Sequence, residues 1–483
     1  MKVVVLGAGI SGHTAALLLR RKLPKEHEVV VVSPNRNWNW IPSNIWVGVG
    51  LMQPRQVTFE LKPVYDRQGI RFVQAKAVSL HPEGGSASPQ PFVRVESTRD
   101  GSKGTLEDLT YDYLINATGP KLNFDATPGL GPDGHTLSVC TYGHAEHAAK
   151  ELRASIDRMK RGENQTFVIG TGHGTCTCQG AAFEYIFNLE FELRRNGVRD
   201  KARIVYITNE ADLGDFGVGG MSLKAGGYVI PSKVFAESLY AERGIEWITG
   251  AAVQKVEKGK ILYETLDGQK GELAFDFSML IPPFSGVGLK AFDREGGDIT
   301  AGLFAPSGFM KVDADYAPKE FDQWKAQDWP ETYQTAYPNV FAIGIAFAPP
   351  HQISQPRKTP NGTVIAPAPP RTGMPSAIMG RAVAQSIADM ILKKADKPTQ
   401  GASLANLGAA CVASAGNSPL KGTAVSMTMF PVVPDHDKYP ESGRDLAHTT
   451  GEIGLAGHWI KYLLHYAFIY KAKAYPFWWI IPE

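Results

Sequence analysis

The sequence predicts an α/β protein made of two Rossmann-like dinucleotide-binding domains with a C-terminal amphipathic membrane-associating region. Three observations predict it: a strand–glycine–helix unit that opens the chain, a second such unit near the middle, and an aromatic-rich final stretch with few charges. A chain of 483 residues exceeds one ordinary core, so two or three domains are expected. The hydrophobic share of 43%, the charged share of 20% and the formal net charge of +2 are those of an ordinary globular protein, and they exclude no class except a polyanion binder. Nucleic acid is therefore not expected as a partner.

The first unit runs from an apolar strand at residues 3–6 through Gly7-Ala-Gly9-Ile-Ser-Gly12 into a helical stretch at 13–21, with a second strand at 28–32. Such glycines allow a tight turn and let backbone N–H groups approach a pyrophosphate at the helix N-terminus. The acidic ribose ligand usual after the second strand is replaced by Ser33-Pro-Asn35, of which Ser33 and Asn35 keep a weaker capacity for the same bonds. Tyr113-Leu-Ile-Asn-Ala-Thr-Gly-Pro120 reads as a strand entering a small-residue turn. The second unit begins at Thr166-Phe-Val-Ile-Gly-Thr-Gly-His-Gly174, followed by a strand at 203–208. The Gly/Ser-rich stretch 84–103 and the proline-crowded stretch 349–370 read as surface insertions, and a separate tail is expected from about residue 401.

Because a buried strand begins at the second residue, no cleavable signal is expected. No apolar run is long enough to span a bilayer, so a membrane contact would be peripheral and monotopic. Four cysteines make no disulfide scaffold, and each is a candidate for chemistry or packing. Cys178, near the start of a helix, is expected to have its thiol acidified by the helix N-terminus. His173, Cys176 and Cys178 do not complete a four-ligand zinc set, so no metal is expected. In the final stretch Lys461 and His465 share one helical face and the other positions are aromatic or aliphatic. Lys471 and Lys473 are expected to snorkel to lipid, and Phe477, Trp478 and Trp479 to lie at the headgroup boundary.

The fold leaves function open, and the cysteines narrow it. The first helix has no C-x4-C, which argues against the dithiol chemistry of glutathione reductase relatives. Ser138-Val-Cys-Thr-Tyr-Gly-His144, Cys178-Gln-Gly-Ala-Ala-Phe-Glu-Tyr185 and Ala410-Cys-Val-Ala-Ser-Ala-Gly416 resemble the three cysteine regions of the sulfide:quinone oxidoreductase family. Trp40-Ile-Pro-Ser-Asn-Ile-Trp-Val-Gly-Val-Gly50, Ala117-Thr-Gly-Pro-Lys-Leu122 and Arg371-Thr-Gly373 are similar to that family as well. Asn339-Val-Phe-Ala-Ile-Gly-Ile-Ala346 resembles the strand returning to the flavin domain, with Ile345 where most related flavoproteins carry Asp. The family is similar in lacking that acid.

The resemblance implies FAD, sulfide, a membrane quinone (ubiquinone or menaquinone), a membrane surface and a homo-oligomer. It implies a division into 1–150 (first part of the FAD domain), 151–285 (second Rossmann-like domain), 286–400 (return to the FAD domain) and 401–483 (redox-cysteine and membrane or quinone region). The implied flavin contacts are Gly7, Gly9, Gly12, Ser33, Asn35, Ser43, Asn44, Ala77, Thr118, Gly119, Gly344, Thr372 and Gly373. Cys178 and Cys411 are the implied sulfur-bridged pair. Cys140 is a third sulfur carrier, a flavin attachment point or a spectator, and His144 and Glu184 are implied proton carriers. Phe468 and Tyr470, in the aromatic final stretch, are the expected quinone contacts. Cys176 reads as a spare packing thiol or a local sulfur acceptor, and Asp215 stands where the family pattern has a histidine. Rival readings are a type II NADH dehydrogenase with Glu210 on a ribose, the flavin subunit of a flavocytochrome c sulfide dehydrogenase, and a non-catalytic sulfide sensor.

Overall fold

Four valine and leucine residues in a row, Val3 to Leu6, are fully buried in β1 (Lys2–Leu6), as expected of a strand covered on both faces. The computed structural model describes the chain except residues 87, 370, 372 and 419 and the side chains of 417, 418 and 421. β1 leads into α1 (Ile10–Lys22), which begins three residues before the expected start. β2 (Glu28–Ser33), β3 (Arg71–His81), β4 (Phe92–Ser97), β5 (Leu106–Thr110) and β6 (Tyr113–Asn116) follow. β4 corrects the reading of 84–103 as a loop: Val93 and Val95 face the core there, a period-2 pattern hidden among glycines and serines.

After α2 (Tyr142–Lys160), the second unit is β7 (Gln165–Thr171), α3 (Gln179–Arg195) and β8 (Ala202–Ile207). Then come the hairpin β9 (Ser222–Ala225) and β10 (Tyr228–Pro231), β11 (Glu246–Ile248), β12 (Phe277–Ile281) and β13 (Val340–Ala342). The chain closes with α4 (Gly373–Leu392), β14 (Ala409–Ser418), β15 (Lys421–Met429), β16 (Thr450–Gly454) and α5 (Leu455–Ala472).

Among the described residues, the first sheet has the order β13-β6-β1-β2-β3-β4-β5, its first five strands parallel. β13 thus returns to the first domain from late in the chain. The second sheet, β11-β8-β7-β12, is parallel throughout. Two Rossmann-like units are therefore present.

Residues beyond 401 do not form a tail of their own. β14, β15 and β16 continue the hairpin of the second unit in one sheet, β10-β9-β16-β15-β14. The proline-crowded stretch is also not a plain surface loop. Ile353, Ile365 and Ala366 are buried, and the Ala366 and Ala368 amides donate to the carbonyls of Gly174 and Cys176 at 2.8 and 3.0 Å. Its prolines remove donors without preventing these backbone bonds at the intervening residues.

Candidate active site

The first glycine turn fits a dinucleotide. Gly7 has φ +98°, and a Cβ there would lie 2.1 Å from the Ala117 carbonyl oxygen; one on Gly12 would lie 2.2 Å from the Gly7 oxygen. Only glycine lets strand, turn and helix approach this closely. Above the turn the space is open: a Cβ on Gly9 or Gly119 would meet nothing within 4 Å. Gly9 caps α1 without a side-chain bond, so the N–H groups of the first turn face that space. Thr118 turns its amide and hydroxyl onto Asn116 Oδ1 at 3.2 and 2.8 Å. Gly344, at φ +65°, crosses Ser11, and Gly373 opens α4 against Ile10. Asn35 is exposed beyond β2, whereas the Ser33 hydroxyl is turned onto Asn35 itself. Ala77 lies on β3 opposite Val95, at a break in register. Ser43 and Asn44 are fully buried and already bonded, Ser43 to His465 and Asn44 to Asn39 and the Val139 carbonyl. Thr372 lies outside the described residues.

One half-buried group near this turn was not anticipated as a site residue. The Arg371 guanidinium donates to the carbonyls of Ile345 and Phe347 at 2.5 and 3.0 Å and lies 4.4 Å from the Phe309 ring centre. It fixes the turn after β13, where the usual Asp is missing. Burial pulls its pKa down to about 9.

The second glycine turn is closed by the protein itself. A Cβ on Gly172 would meet Leu130 at 2.5 Å, and one on Gly174 would meet the Val364 carbonyl at 2.3 Å. The strap 364–369 lies along this turn, and the Thr177 hydroxyl donates to the Pro369 carbonyl at 2.9 Å. Glu210 is buried, accepting from Thr208 Oγ1 and the Phe216 amide at 2.7 Å each, and burial raises its pKa to about 7. It does not present a free carboxylate to a ribose. Asp215 is held by Ser354 and by the amides of Gly217 and Gly219, on the wall of an 870 Å³ cleft.

Cys178 caps α3 with φ +68°, a left-handed conformation costly for any residue but glycine and typical of functional sites. Cys411 reaches the same turn: its Sγ would lie 3.1 Å from a Cβ on Gly180. Cys140 precedes α2 and donates its amide to Ser138 Oγ at 3.2 Å. The expected acidification of Cys178 is not found. Burial pushes the thiols of Cys178 and Cys411 up to about 12 and that of Cys140 up to about 11, outweighing the helix end. Cys176 is fully buried and gives its S–H to the Ile281 carbonyl at 3.1 Å.

His144 lies one turn beyond Cys140, with a buried Nδ1 that has no hydrogen-bond partner among the described residues. Glu184 is buried on α3. It accepts from the Ser414 amide at 3.3 Å and forms a short ion pair with Lys461 of α5, a partner the sequence reading missed. Burial raises the Glu184 pKa, and Lys461 offsets part of that rise.

α5 is amphipathic in an unexpected sense. Its polar stripe, His458, Lys461 and His465, is buried against the body, while Trp459, Ile460, Leu463 and Tyr466 face outward, Leu463 being 68% exposed. Lys471, expected to snorkel outward, is buried and bonds the Ile481 and Pro482 carbonyls. Trp478 is also buried, whereas Phe477 and Trp479 are exposed. Phe468 stacks on Trp40 with 5.2 Å between ring centres and lines a 60 Å³ cavity with His13, Trp38 and Trp478. Tyr470 is off that cavity and donates to the Pro476 carbonyl at 2.9 Å. Among the described residues, no helix is long and apolar enough to cross a membrane.

An open first glycine turn, a returning strand and a cysteine-bearing second unit define a flavoprotein oxidoreductase with two dinucleotide-type domains. The pyridine nucleotide-disulphide oxidoreductase family model matches residues 1–186. Within that class the chain is similar to sulfide:quinone oxidoreductases. It is 29% identical over 472 residues to the sulfide-quinone reductase of Aquifex aeolicus, covering 98% of this chain and 91% of the relative. It superposes on the X-ray structure of the sulfide:quinone oxidoreductase from that organism with a TM-score of 0.75 at 27% identity, over 98% and 91% of the two chains. It is 25% identical over 287 residues to the mitochondrial sulfide:quinone oxidoreductase of Dictyostelium discoideum, covering 58% and 56%. NDH2 from Plasmodium falciparum shares the fold, with a TM-score of 0.59 at 13% identity over 88% and 89%.

Proposed function

We propose that this protein is an FAD-dependent sulfide:quinone oxidoreductase that oxidises sulfide to polysulfide or sulfur at Cys178 and Cys411. The observation that carries the reading is the meeting of these two cysteines, from the cap of α3 and from β14, at one half-buried turn. A disulfide or longer sulfur bridge between them is a two-electron acceptor suited to HS⁻. Attack on one sulfur breaks the S–S bond, leaves the other cysteine as thiolate and builds a persulfide. Gly7, Gly9, Gly12, Thr118, Gly119, Asn35, Gly344 and Gly373 would hold FAD, which when bound carries the two electrons onward to quinone. Glu184, His144 and Cys140 border the sulfur chemistry as proton and sulfur carriers, while Cys176 serves packing and Asp215 holds the 215–219 turn. The strap over the second glycine turn and the engaged Glu210 disfavour the NADH dehydrogenase reading.

Quinone is a lipid-phase substrate, and the outward apolar face of α5 supports peripheral, monotopic membrane association beside the aromatic cavity at Phe468. The outer strand β10, with Tyr228 and Val229 exposed, supports a homo-oligomer. The test is steady-state reduction of a short-chain quinone by the purified flavoprotein. Sulfide is expected to support turnover and NADH to support less than about a hundredth of that rate, the discrimination expected when a site's groups are left unmatched. Equal turnover with NADH contradicts the reading.

A further inference from the structure

Three of the four buried polar residues of α5 bond elements other than their own. Each grips a different element of the site. His458 bonds Ser414 Oγ on the strand of Cys411 at 2.5 Å, Lys461 pairs with Glu184 on the helix capped by Cys178, and His465 bonds Ser43 at 2.8 Å. Lys461 also donates to the carbonyl of Val412, the residue next to Cys411, at 3.3 Å, and its ammonium lies 5.6 Å from the Trp46 ring centre. Asn188 binds the same strand to α3 through the Ser414 carbonyl at 2.6 Å.

We propose that Lys461 is a positioning residue that decides which cysteine leaves: its ammonium, held between Glu184 and the Val412 carbonyl, makes Cys411 the leaving thiolate and Cys178 the persulfide carrier. This rests on the reading of the two cysteines as the redox pair. HS⁻ attacks Cys178 Sγ, the S–S bond breaks, and its electron pair stays on Cys411 Sγ. The products are Cys178–S–SH and Cys411–S⁻, with no other oxidant or proton required.

The ionisable groups acting on Cys411 are Glu184 and Cys178 from α3 and Lys461 from α5; Lys461 alone favours its anion. Those acting on Cys178 are Cys140 and Glu184, both opposing ionisation, and among the described residues no cation offsets them there, only the Ala181 amide. β15 sets Met427 opposite Cys411. On α4, Arg381 acts on Lys471, and Asp389 is engaged by Thr399 and Lys393. The positive charge is therefore on one side of the sulfur pair. Without it, a thiolate at Cys411 would share a buried site with an unpaired Glu184 carboxylate.

The experiment is alkylation of the pre-reduced full-length flavoprotein by iodoacetamide across pH, with Cys411 and Cys178 peptides quantified separately by mass spectrometry. Lys461→Met is expected to slow Cys411 about tenfold at a fixed alkaline pH, as for a thiol pKa raised by one unit, and to leave Cys178 within about twofold. Lys461→Arg is expected to retain the wild-type profile. Glu184→Gln combined with Lys461→Met removes both charges and is expected to bring Cys411 back to within about threefold. An unmoved Cys411 profile in Lys461→Met, equal slowing of both cysteines, or no recovery in the double variant overturns the proposal. None of these outcomes uses sulfide turnover, so the parent reading is judged separately by the cysteine variants.

Discussion

Cys178→Ser and Cys411→Ser each lose sulfide-dependent flavin reduction, by at least about a thousandfold, as for removal of a group that bonds covalently to the substrate. A serine hydroxyl neither forms a sulfur bridge nor leaves as an anion at neutral pH. Both losses are expected, because a bridge has two ends. Cys176→Ser is the internal control: its thiol donates to the Ile281 carbonyl, and a hydroxyl can make the same bond. Rapid anaerobic mixing with sulfide, followed at the flavin band, checks all three. Retention of wild-type reduction by Cys411→Ser would remove the bridge from the mechanism.

The second large effect concerns α5. Replacing Ile460 and Leu463 with glutamate is expected to release the protein from phospholipid vesicles. Burying each aliphatic side chain is worth roughly 1.5–3 kcal/mol, so losing two lowers partitioning at least about a hundredfold. Both side chains are exposed, at 51% and 68%, so the fold is expected to keep its melting temperature within a few degrees. Sedimentation with vesicles reads the binding. Turnover with a long-chain quinone in vesicles should fall while turnover with a short-chain quinone stays. Unchanged vesicle binding would show that this face meets something other than lipid.

How much of this was legible in the sequence differed from element to element. The first glycine turn was readable because its residues are local: strand, Gly7, Gly9, Gly12 and helix follow in order. β4 was not, since two buried valines among polar neighbours give too short an alternation to outweigh glycine and serine around them. Cys178 is nominated by its place near a helix start and by resemblance, and Cys411 chiefly by resemblance, yet the direction of the thiol shift at Cys178 differs from the expected one. A helix start is visible in sequence, but the depth at which tertiary packing buries it is not. Lys461 and His465 were seen to share a face, and the polar face of a surface helix ordinarily faces water. Here it is buried, because each polar group has a partner supplied by a distant segment: Glu184, Ser414 and Ser43. Such pairings leave no local mark. Ser43 and Asn44, expected at the flavin, are bonded into that network and to Val139.

The central claim is that sulfide, and not a nicotinamide, reduces this protein's flavin. Anaerobic titration of the purified flavoprotein with sulfide, and separately with NADH, tests it at the flavin's visible absorption band. Bleaching by near-stoichiometric sulfide, with the band unchanged by NADH, is the predicted result. Bleaching by NADH with no response to sulfide would contradict the account.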